Sequence, residues 1–559
     1  MKKTLAGAVL LASSLFAQNP IIHDAEYKIL EAQNGKRWKQ DDKVIDQKLA
    51  DYRKKNGGKA PNILYILLDD VGFGEIGMDN LSVIRGYKTP NMSALAKEGM
   101  SLNRMYTEPS CTPTRVAMMT GRYPTRTGLS EAKATIAGDG LSGEEVTIAE
   151  VLRDSGYNTS HVGKWHMGDI EQAYANNQGF MHAEFPIHQQ GQLAIMGRDM
   201  ESADIIRGID PSRAKQTFTL DKLFVPDPAH MVTGVEVGKD GKLYEVEMKA
   251  GEEWTQEKYR EMNERYQRNA LSQLRKLAKE DKPFFLNYWP LFPLSFVQEH
   301  NSKYNTLNGG TMADILVEVD EWIGKIVDEV DNLGIAENTI IIVMGDNGPF
   351  MQYAGPTGQS DRIYRGGKAD HLEGGVRVNT WVQWKGMIEA GSTSEDIFHV
   401  SDLFTTLARI GQGTKEIPRD RIIDGVDQSG IWLLGETHGR RDYVHIYEGP
   451  VLKSVVKNKY KIHVPPKGSN PIAAKIFDLY RDPREERPID SIKYGPWAGG
   501  QFVNMIKRHM ALKMTYPNRP ATRDIPYGGI VNLRPESKKL LEIFKLGLPQ
   551  MPPKAQAVK

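Results

Sequence analysis

The chain has 559 residues, of which 72 are Lys or Arg and 71 are Asp or Glu, so it is nearly neutral. A neutral chain has no global attraction to nucleic acid or to anionic membranes, and any preference for anions must be local. The length and the 40% of hydrophobic residues allow a large buried core, which predicts one large domain and a smaller one.

The first residues have the pattern of an export signal. Lys2 and Lys3 precede a largely apolar stretch over 5–16, and Ala17 has the small side chain of a cleavage site. The apolar stretch is too short to span a bilayer, and no later segment has the composition of a membrane span. The sequence therefore predicts a signal peptide over 1–17 and an exported protein, periplasmic or secreted.

Residues 18–60 are rich in charge and poor in apolar periodicity, which predicts an N-terminal surface arm. The core begins at Pro61, and 62–68 form a nearly continuous apolar run of strand length that ends at Asp69 and Asp70. A strand of this composition is covered on both faces. Two carboxylates therefore lie at its C-terminal end.

Strands and helices then alternate along the chain. Helical spacing of apolar residues over 144–154, 259–277 and 315–330 alternates with strand-like runs over 157–162, 284–289 and 339–344. This order predicts an α/β fold, with a large, mostly parallel sheet sandwiched by helices over 61–439. In such a sheet, polar residues that follow the strands gather at the carboxyl edge, where ligands bind.

From about residue 440 the pattern changes to short alternating runs broken by Pro and Gly, which predicts a small antiparallel sheet over 440–490. Residues 491–559 mix Pro, Lys and Arg with little periodicity, and we expect them to form a C-terminal surface extension. Residues 179–254 fall between two strands. They are equally compatible with a lid that shapes the substrate site and with a surface hairpin.

Cys111 is the only cysteine in the sequence and cannot form an internal disulfide. In an exported protein, an unpaired thiol indicates a nucleophile or a modified residue, although a buried, inert cysteine is the simpler interpretation of the residue taken alone. Its neighbours include Pro113 and Arg115, followed by Thr-Gly-Arg-Tyr-Pro over 120–124.

This extended motif resembles the signature of type I sulfatases, in the alkaline phosphatase superfamily. In that family a separate enzyme oxidises the cysteine to formylglycine. The resemblance runs from about Pro61 to Arg487 and includes the segments 399–407 and 477–483. It implies an alkaline phosphatase-like fold with a catalytic domain over 61–439 and a small-molecule or glycan sulfate ester as substrate. It also implies a formylglycine-generating enzyme that acts before or during export.

Carboxylates and an amide follow the predicted strands, with no cluster of His or Cys ligands beside them. Such an all-oxygen site suits a hard cation, Ca²⁺ or Mg²⁺, although each pair taken alone is also common in turns and helix caps. By the resemblance, the family's metal ligands, usually for Ca²⁺, match Asp69, Asp70, Asp346 and Asn347, with the modified Cys111 as a further ligand.

Three cationic side chains, Arg115, Lys164 and Lys368, are suited to surrounding a tetrahedral oxyanion. By the resemblance, Arg115 holds the formylglycine and His166 is its hydrogen-bond partner, while Lys164 and Lys368 bind sulfate. The metal lowers the pKa of the nucleophilic hydroxyl, which attacks sulfur and expels the alcohol. We expect His166 to take the proton that allows sulfate to leave.

One segment departs from the family pattern. Family members usually carry a Pro-His pair after the strand that here covers 284–289, and that histidine protonates the leaving group. The matching segment, 290–295, contains no histidine, which leaves His300, His371 and Lys368 as candidate proton donors. Since a phenol, with a pKa of about 10, needs less acid help than an alkyl or sugar alcohol, the sequence predicts a preference for aryl sulfates.

Two alternatives remain open at this point. Phosphonate and phosphodiester hydrolases share the fold and the site plan with sulfatases. A non-catalytic sulfoglycan-binding protein would retain Arg115, Lys164 and Lys368 as sulfate ligands, while Cys111 stayed a thiol.

Overall fold

The computed structural model describes residues 19–133, 138–186, 232–237, 243–247, 256–291, 310–349, 363–466, 468, 474–489 and 491–524. The predicted signal peptide and His300 lie outside these ranges. So do most of the segment from 179 to 254 and the residues of 290–295 that follow Leu291.

A mixed sheet forms the centre of the fold. Its strands are β1 (Asn62–Leu68), β2 (Met100–Leu102), β5 (Asn158–Gly163), β6 (His182–Glu184), β9 (Phe284–Trp289), β10 (Thr339–Gly345), β12 (Thr380–Gln383) and β13 (Ser392–Ser394). They lie in the order β13-β2-β12-β10-β1-β9-β5-β6. The strands from β10 to β6 are parallel, whereas β12 is antiparallel to both β10 and β2. The predicted mostly parallel sheet is confirmed.

Alternate residues of β1 enter two separate apolar cores. Ile63 and Tyr65 point into one core, and Leu64 and Ile66 point into the other, on the opposite face of the sheet. All four side chains are fully buried. Both faces of the sheet are therefore covered, as the continuous apolar run predicts.

Helices pack against both faces of the sheet. They are α1 (Ala25–Lys55), α2 (Asp79–Arg85), α3 (Pro90–Glu98), α4 (Cys111–Thr120), α5 (Ile148–Asp154), α6 (Gln256–Leu277), α7 (Gly310–Asn332), α8 (Glu373–Val376), α9 (Asp402–Ile410), α10 (Ser429–Leu434) and α11 (Ser491–Thr515). Side chains of α6 and α7 belong to one core, and those of α4, α5 and α9 belong to the other. The three helices expected from apolar spacing are α5, α6 and α7.

The segment expected to be a surface arm contains α1, a helix of 31 residues. Asp24 caps this helix, since its carboxylate accepts a hydrogen bond from the Glu26 backbone N–H. Ile45 and Leu49 are buried in the main core, and Trp38 is buried against the C-terminal part of the chain. This helix is not evident from the sequence, because its apolar positions are widely separated by charged ones.

The C-terminal part contains an antiparallel sheet in the order β15-β16-β17-β18, with bounds Tyr443–Glu448, Val451–Lys457, Tyr460–His463 and Lys475–Asp478. Helix α11 packs on it through Phe502 and Met505. One smaller sheet contains β3 (Met105–Tyr106), β11 (Arg377–Val378) and β14 (Phe398–His399). A second pairs β4 (Asp139–Gly140) with β19 (Thr522–Arg523), and a third pairs β7 (Val232–Val237) with β8 (Leu243–Glu247). Within the described ranges, no helix is both long enough and apolar enough to cross a membrane.

Candidate active site

The parallel register brings the carboxyl ends of β1 and β10 side by side, because the last residues of the two strands are paired. Asp69 and Asp70 follow β1, and Asp346 and Asn347 follow β10. The Asp70 backbone N–H donates to Asp346 Oδ1 at 3.0 Å, and Asn347 Nδ2 donates to Asp70 Oδ1 at 2.7 Å. Three of the four predicted oxygen ligands, Asp70, Asp346 and Asn347, therefore form one hydrogen-bonded group, and Asp69 is linked to Asp346 through their common ion-pair partner Arg115.

Cys111 is the first residue of α4 and is 1% exposed. Its Sγ and the nearest carboxylate oxygens of Asp69 and Asp346 lie within 4.8 Å of one another. The side chain at this position thus points at the strand ends. The N-terminus of a helix also favours negative charge on a residue placed there.

Arg115, one helical turn further along α4, is completely buried. One guanidinium nitrogen donates to Asp346 Oδ2 at 2.8 Å and another to the Lys164 carbonyl at 3.0 Å. The guanidinium also stacks over the Trp289 ring, 5.0 Å from its centroid. Arg115 therefore connects α4 to the ends of three strands of the sheet.

Two lysines complete the charge pattern. Lys164 Nζ lies 2.6 Å from Asp69 Oδ1, and Lys368 Nζ lies 2.9 Å from Asp70 Oδ2. Burial alone would raise the pKa of Asp69, but Lys164, Lys368 and Arg115 hold it below its usual range. Burial would likewise lower the pKa of Lys368, and Asp70 together with the other acidic groups raises it instead.

His166 lies three residues after the end of β5 and has a left-handed backbone, with φ 62°. Its Nε2 donates to the Lys133 carbonyl at 3.2 Å, and its buried Nδ1 has no hydrogen-bond partner among the described residues. Burial, together with the positive charges of Lys164 and Arg115, lowers the pKa of His166 well below its usual value. The imidazole is therefore neutral and has one nitrogen free to accept a proton.

The donor set fits a hard divalent cation. Asp69 Oδ2 and Asn347 Oδ1 are buried and have no hydrogen-bond partner in the part of the chain that the structure describes, and such atoms each cost about 1–3 kcal/mol unless another ligand satisfies them. Burial and the nearby Asp69 carboxylate also raise the pKa of Asp346, because a buried carboxylate loses its hydration and is repelled by the second negative charge. A cation bound between these oxygens would remove both costs.

The structure brings together every predicted site residue: Asp69, Asp70, Cys111, Arg115, Lys164, His166, Asp346, Asn347 and Lys368. The sequence does not predict the contact between His371 and Glu448, a residue of the C-terminal sheet whose carboxylate accepts a hydrogen bond from the imidazole. Glu448 is 77 residues from His371 in sequence, and nothing in the local sequence connects the two.

Comparisons with known proteins agree with this geometry. A family model described as sulfatase matches residues 61–413. Steryl-sulfatase of Rattus norvegicus is 28% identical over 84% of this chain and 92% of its own length. N-acetylgalactosamine-6-sulfatase of Mus musculus is 29% identical over 73% of this chain and 72% of its own. The crystal structure of the PsFucS1 sulfatase from Pseudoalteromonas sp. has a TM-score of 0.73 and 27% identity, covering 86% of this chain and 96% of that one.

The family match covers more than half of the chain. The two curated relatives and the protein of the solved structure are sulfatases, and each is matched over most of its own length. The protein is a sulfuric ester hydrolase of the sulfatase family.

Proposed function

We propose that this enzyme hydrolyses sulfate esters with formylglycine made from Cys111 and a divalent cation, Ca²⁺ in preference to Mg²⁺. The proposed metal ligands are Asp69, Asp70, residue 111, Asp346 and Asn347. One observation carries the proposal. The buried Cys111 Sγ lies within 4.8 Å of carboxylate oxygens from two neighbouring strand ends.

The charges of the site support a sulfate monoester as the substrate. Three carboxylates, from Asp69, Asp70 and Asp346, are balanced by the side chains of Arg115, Lys164 and Lys368. A divalent cation would make this balance positive. The site then attracts a singly charged sulfate ester, and its buried cations act at short range because little water screens them.

When present, the hydrated aldehyde at position 111 supplies the nucleophilic hydroxyl, and the cation lowers the pKa of that hydroxyl. Arg115, on the same helix as residue 111, orients Asp346 through its buried hydrogen bond. Lys164 and Lys368 donate hydrogen bonds to the sulfate oxygens, where charge increases as the ester bond breaks. Neutral His166 accepts, at Nδ1, the proton whose removal lets sulfate leave.

We propose aryl sulfates as the fastest substrates, because a phenol leaves with less acid help than an alkyl alcohol. The names of the relatives do not decide this point. One is named for a steryl sulfate and another for the 6-sulfate of N-acetylgalactosamine. We also propose that the enzyme is exported, to the periplasm or beyond, after a formylglycine-generating enzyme has acted on it.

The test begins with the mass of the tryptic peptide from Met105 to Arg115, isolated from the native host. We expect formylglycine at position 111, and release of sulfate from 4-nitrophenyl sulfate by the same sample. Removing divalent cations with a chelator should abolish this release, and Ca²⁺ should restore it better than Mg²⁺.

The matched control is Cys111→Ala, which keeps the helix but cannot be oxidised to the aldehyde. This variant should fold and release no sulfate. A sample that contains only intact cysteine and still releases sulfate would contradict the formylglycine proposal. Faster cleavage of a sugar sulfate than of 4-nitrophenyl sulfate would contradict the aryl preference.

A further inference from the structure

Three residues after Lys368, the chain carries a histidine–carboxylate pair that has no role in the steps above. His371 Nδ1 lies 2.6 Å from Glu448 Oε1, and the His371 backbone N–H donates to the same oxygen at 3.0 Å. The two side chains are 21% and 26% exposed, so both reach solvent. Two donors from one residue fix the orientation of the imidazole.

The protonation of this pair follows from its contacts. Partial burial alone would raise the pKa of Glu448, but the hydrogen bonds from His371 and from Lys453 lower it to about 2. Glu448 is therefore an ionised acceptor, and Nδ1 of His371 carries the shared proton. No described residue hydrogen-bonds the other ring nitrogen, Nε2, which remains available for a ligand.

The segment that carries His371 is anchored beside the nucleophile. Lys368 reaches the carboxylates at the strand ends, and the Ala369 backbone N–H donates to the Pro109 carbonyl at 2.6 Å. Pro109 comes two residues before Cys111. Because three residues span at most about 10 Å, His371 lies within the length of a small substrate from Lys368.

Glu448 approaches the same site from the C-terminal sheet, at the end of β15. The next residue, Gly449, is so close to Glu131 that a Cβ at 449 would lie 2.6 Å from Glu131 Oε1. Two residues after Glu131, the Lys133 carbonyl accepts the hydrogen bond from His166. The hairpin turn that follows Glu448 therefore packs on the loop that holds a residue of the proposed catalytic set.

We propose that His371, positioned by Glu448, is the acid that protonates the leaving alcohol, and that this proton extends the substrate range to alkyl and sugar sulfates. The inference rests on the proposed function. As the nucleophile bonds to sulfur, the S–O bond to the alcohol breaks and its electron pair stays on oxygen. That oxygen takes the Nε2 proton of the imidazolium, and water returns a proton to Nε2 before the next turnover.

The other charged groups around His371 agree with this role. Asp370 Oδ1 lies 3.6 Å from Nδ1, and the His463 ring packs edge-on at 4.8 Å. The ligand atoms of Asp370, His371 and Glu448 are also close enough to hold a metal ion. However, the Lys453 ammonium lies 3.2 Å from Glu448 Oε2, where it opposes a bound metal ion, whereas its positive charge favours transfer of a proton from the imidazolium to the leaving oxygen.

The experiment compares esters whose alcohols are progressively weaker acids: 4-nitrophenyl sulfate, phenyl sulfate and an alkyl sulfate. For His371→Ala we expect kcat/KM to change less than about threefold with the first ester and to fall roughly 10²–10³-fold with the alkyl ester. His371→Gln, which keeps the shape but cannot act as an acid, should give the same graded loss. Glu448→Gln, which keeps the acceptor oxygen without its charge, should give a smaller loss with the same grading.

The matched control is His182→Gln. His182 is also paired with a glutamate, Glu184, at 3.0 Å, but it lies on β6 at the edge of the large sheet. This variant should leave all three rates unchanged. Each protein is also checked for its formylglycine content and its melting temperature.

Three outcomes would overturn the inference. The first is an equal loss with all three esters, which would mean that His371 only supports the local structure. The second is no loss with any of them. The third is a loss that excess Ca²⁺ reverses, which would make His371 a metal ligand. If the wild-type enzyme, carrying formylglycine, released no sulfate from any ester, the proposed function itself would fail, and the inference with it.

Discussion

At the end of β5, the Lys164 side chain has little freedom. Its ammonium lies 2.6 Å from Asp69 Oδ1, and the residue is 2% exposed. Its own carbonyl accepts a hydrogen bond from Arg115, so both ends of the residue are held. A cation fixed in this way can stabilise developing negative charge without reorganising during the reaction.

Replacing this lysine should therefore damage turnover more than folding. We expect Lys164→Ala to lower kcat for sulfate release roughly 10²–10³-fold, because one buried donor to the charged oxygens is lost. Lys459→Ala is the control, since Lys459 is also paired with an aspartate, Asp478, but is 35% exposed on the C-terminal sheet. Comparable rates for the two variants would show that Lys164 has no special part in catalysis.

Lys164 is held in place by the pairing of β5 with its parallel neighbour β9. Gly163, the last residue of β5, has φ 106°, and a Cβ there would lie 2.1 Å from the Trp289 carbonyl oxygen at the end of β9. The next backbone N–H, that of Lys164, donates to the same oxygen at 2.6 Å. Only glycine allows β5 and β9 to approach so closely at the carboxyl edge.

Two glycine substitutions distinguish the effect of the close approach between β5 and β9 from the effect of a left-handed backbone conformation. Gly156 has φ 100° but open space around its missing side chain, so Gly156→Ala should cost about 1–2 kcal/mol of unfolding free energy and little activity. Gly163→Ala should cost more stability and also roughly 10²-fold in sulfate release, because β5 must move and carry Lys164 with it. Urea unfolding and kcat measurements check both. Equal activities in the two variants would contradict the argument.

Across the molecule, buried charges join helix α8 to the C-terminal sheet. Glu485 is buried and accepts from the Glu373 backbone N–H at 2.7 Å and from Lys461 Nζ at 3.2 Å. Its Oε2 also accepts a hydrogen bond from His463 Nε2. Burial alone would raise the pKa of Glu485, but these donors lower it to about 2.

This contact predicts a pH dependence of stability. Because the folded pKa lies below the unfolded value of about 4.3, the contact stabilises the protein fully above that pH, and the stabilisation is lost as the pH falls toward 2. Glu485→Gln should lower the unfolding free energy by about 3–5 kcal/mol at pH 7, and this difference should shrink below pH 4.3. Urea unfolding across pH measures it, with the 50%-exposed Glu486→Gln as the control. A difference that does not change with pH would show that the charge of Glu485 does not matter.

The N-terminal helix α1 could not be predicted from the sequence. Ile45 and Leu49 face the core at helical spacing, but the charged and polar residues that separate the buried positions of α1 hide the period. Contacts with distant parts of the chain, such as the hydrogen bond from Lys48 to the Leu433 carbonyl, hold this helix against the rest of the fold. Weak local periodicity cannot predict a helix that tertiary packing stabilises.

The α/β fold, the positions of several main strands along the chain and the polar residues at the carboxyl edge were all predictable from the amino-acid sequence. This was possible because buried parallel strands are continuous apolar runs that end where the polar residues begin. The contact of Glu448 with His371 and the contacts by which Glu485 joins α8 to the C-terminal sheet could not be predicted, since they connect residues that are far apart in sequence. Local patterns record the period of one element, whereas a contact between elements depends on the register and packing of both.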